Sequence, residues 1–95
     1  MDKAVHIQIS GRVQGVSFRY YTRQRASELG VDGWVRNLMN GQVEAWAQGE
    51  AEAVEALVNW CRQGPSSARV DELKLEEESL DPELEGFEIR RSGVW

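Results

Sequence analysis

The sequence predicts an α+β fold: a four-stranded antiparallel sheet with two helices packed on one face, in the order β-α-β-β-α-β. Three observations carry that prediction. Val5, Ile7 and Ile9, and again Val43, Ala45 and Ala47, alternate with polar residues, the period of a strand with one buried face. Each alternation is followed by an apolar stripe at helical spacing. Asn40-Gly41 lies between the two middle strands and is a strong hairpin signal. Two β-α-β halves joined by a hairpin give the sheet its predicted layering.

The elements follow in order. The first strand covers residues 4–10 and Gly11 is expected to end it. A helix begins near Phe18, with Phe18, Thr22, Ala26 and Leu29 on one stripe, and Gly30 is a fitting left-handed terminator. Residues 34–38 form the second strand, and the third begins at Val43. Ala51, Val54, Leu57, Val58 and Cys61 line the second helix, with Glu50, Glu52 and Glu55 in its first two turns; the earliest of these favour its positive end. Gly64-Pro65 stops it. A fourth strand is expected over residues 70–77, where Val70 and Leu73 fall out of phase and imply a bulge or a late start. The acidic residues 76–85 read as a solvated loop, and Phe87 and Ile89 alternate in a last strand.

The chain has 95 residues, the length of one domain, expected to span 1–95. Its formal charge of −5 is unevenly spread: residues 1–40 carry a net +3 and residues 41–95 a net −8. A basic first half on an acidic chain suits a local anion site better than a long polyanion groove. No apolar run reaches the ~20 residues of a membrane span, and no basic, apolar leader opens the chain. The single cysteine cannot form an internal disulfide and suits a reducing compartment, so a cytoplasmic location is expected.

Inventory excludes several chemistries. One His and one Cys cannot build a zinc site, and no carboxylates stand at metal-ligand spacing. His6 lies on the sheet face away from the helices and reads as a partly exposed structural residue. Cys61 sits on the apolar stripe of the second helix, where a thiol behaves as a small hydrophobe. Trp34 and Trp46 read as packing residues. RNA binding in the style of other β-α-β-β-α-β domains needs strands rich in stacking aromatics, and of the two central strands only Trp46 qualifies.

The segment Gly11-Arg12-Val13-Gln14-Gly15-Val16-Ser17-Phe18-Arg19 carries chemistry. It joins a strand to a helix N-terminus, where unpaired amides face outward and a glycine lets the backbone curl around an anion. Arg19 adds a planar fork of donors suited to phosphate oxygens. The Gly-Lys-Ser/Thr ending of a nucleotide loop is absent. Spacing alone leaves an ordinary strand-to-helix turn with exposed arginines equally open.

The literal string resembles the phosphate-loop signature of the acylphosphatase family. Gly33-Trp34-Val35-Arg36-Asn37, followed by Gly41-Gln42-Val43-Glu44, is similar to the family's second motif, and Phe87-Glu88-Ile89-Arg90 to its last strand. The resemblance covers nearly the whole chain and implies a ferredoxin-like sandwich. It implies hydrolysis of acyl phosphates to carboxylate and inorganic phosphate by in-line attack of water, without metal or cofactor. By position, the catalytic arginine matches Arg19 and the water-orienting asparagine matches Asn37. The phosphate cradle matches the amides of Gln14, Gly15, Val16, Ser17, Phe18 and Arg19. A small-molecule acyl phosphate is the expected substrate and inorganic phosphate or sulfate an expected inhibitor, with no nucleic acid or membrane partner and a monomer as the working form. The family also includes a domain heading larger carbamoyl-phosphate-using maturation proteins, and a chain of this length fits the free-standing enzyme better. A non-catalytic anion-binding module on the same fold is the alternative, and the tail 92–95 runs beyond the usual last strand.

Overall fold

The computed structural model describes residues 1–92. The elements run β1 (Asp2–Arg12), α1 (Phe18–Leu29), β2 (Asp32–Asn37), β3 (Val43–Glu50), α2 (Ala51–Cys61), β4 (Arg69–Glu78) and β5 (Phe87–Ile89). They build one sheet in the order β4-β1-β3-β2-β5, with the central strands antiparallel.

One face of each central strand is apolar and buried, as its alternation requires. Val5, Ile7 and Ile9 of β1, Val35 of β2, and Val43, Ala45 and Ala47 of β3 are fully enclosed. Phe18, Thr22 and Ala26 of α1 and Val54, Leu57, Val58 and Cys61 of α2 pack against them. Gly30 closes α1 in the left-handed region, its amide shared between the Ala26 and Ser27 carbonyls.

Three expectations are corrected. The sheet has five strands, because β5 pairs in parallel with β2 through Gly33↔Phe87, Trp34↔Glu88 and Val35↔Ile89. Gly11 does not end β1: the strand runs on to Arg12 because β4 continues alongside it. The register slips there, since Ser10 faces Glu72 and Gly11 faces Val70, leaving Asp71 as the extra residue of a bulge. That bulge accounts for the phase break between Val70 and Leu73. Finally, Glu76 and Glu77, claimed by both the expected strand and the expected loop, lie in β4, and Glu78, expected in the loop, lies there too. β4 is an outer strand, so their carboxylates reach water from within the ladder.

The opposite sheet face holds polar and aromatic residues. His6 Nε2 donates to Glu44 Oε2 at 2.6 Å, and Arg36 Nε donates to Glu44 Oε1 at 2.6 Å. Glu44 is only 7% exposed. Burial pushes its carboxyl up, but the hydrogen bonds from His6 and Arg36 and their charges outweigh that, and the net displacement is downward. Trp34 is flanked by the guanidinium groups of Arg36 and Arg90, 5.3 and 5.0 Å from its ring. His6 thus has a structural partner on this face, away from the helices.

Candidate active site

The loop between β1 and α1 is anchored from below. Val13, Val16 and Phe18 point into the core, which fixes the backbone around them. Gly15 takes φ 73°, a value that favours glycine, and leaves open space where a side chain would stand. Ser17, the residue before α1, takes φ 61°, the single positive φ among the described non-glycine residues. Its hydroxyl does not cap the helix, and no acidic residue occupies the first turn. The first-turn amides of α1 therefore lack the side-chain acceptor that most helices supply.

These residues border a cleft of about 420 Å³ lined by Val13, Gly15, Ser17, Phe18, Arg19, Tyr20, Asn37 and Ile89. Arg19, half-buried in α1, meets Asn37 from the end of β2 across it. Among the described residues no carboxylate pairs with Arg19, whereas Arg25, Arg36, Arg69 and Arg90 each have one. Asn37 Oδ1 is buried without a hydrogen-bond partner, the single such side-chain atom among the described residues. An unpaired buried carbonyl oxygen costs about 1–3 kcal/mol, so the fold holds Asn37 in this position at a price in stability.

Of the residues expected to form the cradle, Gly15, Ser17, Phe18 and Arg19 line the cleft, while Gln14 and Val16 do not. Gln14 has another task. Its Nε2 donates to the carbonyls of Leu38 at 2.7 Å and Gln42 at 2.8 Å, the two ends of the β2–β3 turn. The loop that leads into Arg19 is thereby tied to the hairpin that begins at Asn37. Sequence reasoning had no signal for this tie, because its partners lie 24 and 28 positions away. It also missed Tyr20, Val13 and Ile89 as lining residues.

A second hollow of about 310 Å³ lies between α2 and the β1–β4 pair, bordered by Lys3, Glu55, Asn59, Arg62 and several apolar side chains. It gathers no helix N-terminus and no unpaired buried acceptor. Cys61 is fully buried, and burial pushes its thiol up to about 12 despite a hydrogen bond with Thr22. It is an inert core residue. Among the described residues no three His, Cys, Asp or Glu side chains gather into a metal site, and no helix is long and apolar enough to cross a membrane.

A ferredoxin-like sheet with an open helix N-terminus, an unpaired arginine and a strand-end asparagine on one carboxylate-free cleft defines a small α+β protein with a polar surface site. Comparison with known proteins narrows the class. The acylphosphatase family pattern matches residues 5–89. An acylphosphatase from Rubrobacter xylanophilus is 56% identical over 88 residues, covering 93% of this chain and 80% of the relative. One from Geobacter sulfurreducens is 52% identical over 84 residues, 88% of this chain and 92% of that one. The structure of an acylphosphatase from Coxiella burnetii superposes with a TM-score of 0.89 at 38% identity, covering 94% of this chain and 93% of that chain. The chain belongs to the acylphosphatase family.

Proposed function

We propose that this chain is a metal-independent acylphosphatase that hydrolyses the carboxyl–phosphate bond of acyl phosphates, with Arg19 and Asn37 as its catalytic residues. One observation carries the division of labour: Arg19, which no carboxylate pairs among the described residues, and Asn37, whose buried Oδ1 has no hydrogen-bond partner, line the same cleft.

The chemistry needs little more. The leaving group is a carboxylate, whose acid has a pKa of roughly 4 to 5, so it departs at neutral pH without a general acid. The loop amides and Arg19 hold the phosphate and stabilise its equatorial oxygens as charge builds in the transition state. The Asn37 side-chain amide holds the water and aims its oxygen at phosphorus, opposite the leaving oxygen. The water oxygen bonds to phosphorus while the bond from phosphorus to the acyl oxygen breaks, its electron pair leaving with the carboxylate. An amide is too weak a base to take the water's proton, which passes late to a phosphate oxygen. Alkyl phosphate esters are excluded as good substrates, because an alkoxide leaving group needs a proton or a metal. A single domain working as a monomer in the cytoplasm, inhibited by inorganic phosphate or sulfate in the same cradle, completes the proposal.

The test compares kcat with the phosphate inhibition constant in two variants, using benzoyl phosphate in EDTA. Arg19→Ala should weaken phosphate inhibition and cut kcat by about 10³-fold or more. Asn37→Ala should cut kcat by on the order of 10²–10³-fold and leave phosphate inhibition nearly intact. Phosphate binding without turnover by the unaltered chain would instead favour the anion-binding module.

A further inference from the structure

We infer that Tyr20 of α1 and Ile89 of β5 form the surface that takes the acyl group, and that the site favours bulky apolar acyl phosphates, aromatic ones above all. The inference rests on the proposed acyl phosphate chemistry and adds the selectivity of the same cleft.

The cleft holds more than an anion needs. Its volume of about 420 Å³ falls in the ~300–1,000 Å³ range of sites for whole small molecules. Its lining divides by chemistry. Gly15, Ser17, Arg19 and Asn37 offer hydrogen-bonding groups, while Val13, Phe18, Tyr20 and Ile89 offer carbon. Among those four, Val13 and Phe18 are each 1% exposed and already spent on the core. Tyr20 is 52% exposed and Ile89 is half-buried, so these two still have apolar surface to give up to a ligand.

Tyr20 is also held in place. It meets Tyr21 edge-on, with centroids 5.3 Å apart and planes at 77°, and the Arg23 guanidinium lies 5.6 Å from its ring centre. A ring fixed before binding loses little freedom when a substrate covers it. Tyr20 and Arg19 both line the cleft, although successive residues of a helix point in different directions. Ile89 reaches the cleft because β5 pairs in parallel with β2, where Ile89 faces Val35.

The measurement is the ratio of kcat/KM for benzoyl phosphate to that for acetyl phosphate, with succinyl phosphate as a charged comparison. Ratios compared between variants cancel the intrinsic reactivity of the two anhydrides. Tyr20→Ala should lower the benzoyl-to-acetyl ratio by about 5- to 20-fold, the usual yield of one apolar contact surface. Ile89→Ala should lower it in the same direction, and Tyr20→Phe should restore it to within about threefold, since the ring and not the hydroxyl acts. Arg25→Ala, on the exposed side of the same helix, should keep the unaltered ratio. A folded Tyr20→Ala variant with an unchanged ratio overturns the inference while leaving the acylphosphatase proposal standing. A chain that prefers succinyl phosphate overturns the apolar preference. A chain that hydrolyses none of the three removes the proposed function, and this inference with it.

Discussion

Replacing Gln14 separates stability from catalysis in a way the geometry lets us calculate. Its amide nitrogen donates to the carbonyls of Leu38 and Gln42. Both carbonyls keep a second donor, because Gly41 N reaches Leu38 O at 3.2 Å and Leu38 N reaches Gln42 O at 2.8 Å. Gln14→Ala therefore orphans neither acceptor. Two net hydrogen bonds at about 0.5–1.5 kcal/mol each, with the orphan penalty absent, give a loss of about 1–3 kcal/mol. Catalysis should suffer more. Leu38 directly follows Asn37, and a displacement near 1 Å at a positioned group costs on the order of 10²-fold in rate. We expect kcat on benzoyl phosphate to fall about 10- to 100-fold in Gln14→Ala. Gln14→Glu should be worse on both counts, since it turns a carboxylate oxygen toward two carbonyl oxygens. Urea unfolding alongside steady-state kinetics checks both numbers. A folded Gln14→Ala variant with kcat within about twofold of normal would refute the tie between the two loops.

Three further outcomes are expected. Cys61→Ala should cost about 1 kcal/mol through a small cavity while leaving kcat within about twofold, and the native thiol should resist a thiol-specific reagent that labels the urea-unfolded chain. Gly33→Ala would bring a Cβ to 1.8 Å from the Trp46 carbonyl oxygen at φ 148°; a loss of about 3 kcal/mol or more and a Tm lower by roughly 12 °C are expected, checked by thermal melts. Glu44 stays charged in the folded state to lower pH than when unfolded, so its contribution is complete above its ordinary value of 4.5 and fades as pH falls through the lowered value. Glu44→Gln should therefore be less stable at pH 7 and should lose less between pH 5 and pH 3, a slope that urea titrations at stepped pH would measure.

What the sequence made legible was local. The alternation of Val5, Ile7 and Ile9, the stripe through Phe18, Thr22 and Ala26, the Asn40-Gly41 turn and the Gly30 cap are all decided within a few residues, and the structure has each of them. What escaped depends on partners far along the chain. Gly11 looks like a terminator until β4 lies beside it. Glu78 looks like part of a loop, and Glu76 and Glu77 read either way, because an outer strand can carry charge without burying it. β5 has three residues and pairs with a strand 54 positions earlier, so no short window could reveal its parallel direction. The candidate site divides in the same way. The strand–loop–helix string pointed to Gly15, Ser17 and Arg19 at the cleft, and the second motif pointed to Asn37. Gln14 was read through its backbone, while its side chain does the joining.

The outer position of β4 has a consequence for how copies of this chain behave together. One side of its ten residues pairs with β1, and the other presents unpaired backbone groups that could template a second strand. Asp71, Glu72, Glu76, Glu77 and Glu78 lie exposed along it, with Lys74 as the sole cation within that run. Two such edges approaching each other would bring rows of carboxylates together before any backbone bond could form. Much of the chain's acidic surplus thus stands guard on an adhesive border. The guard reaches furthest at low ionic strength; salt shortens its reach and lets the bare strand of one copy approach the next.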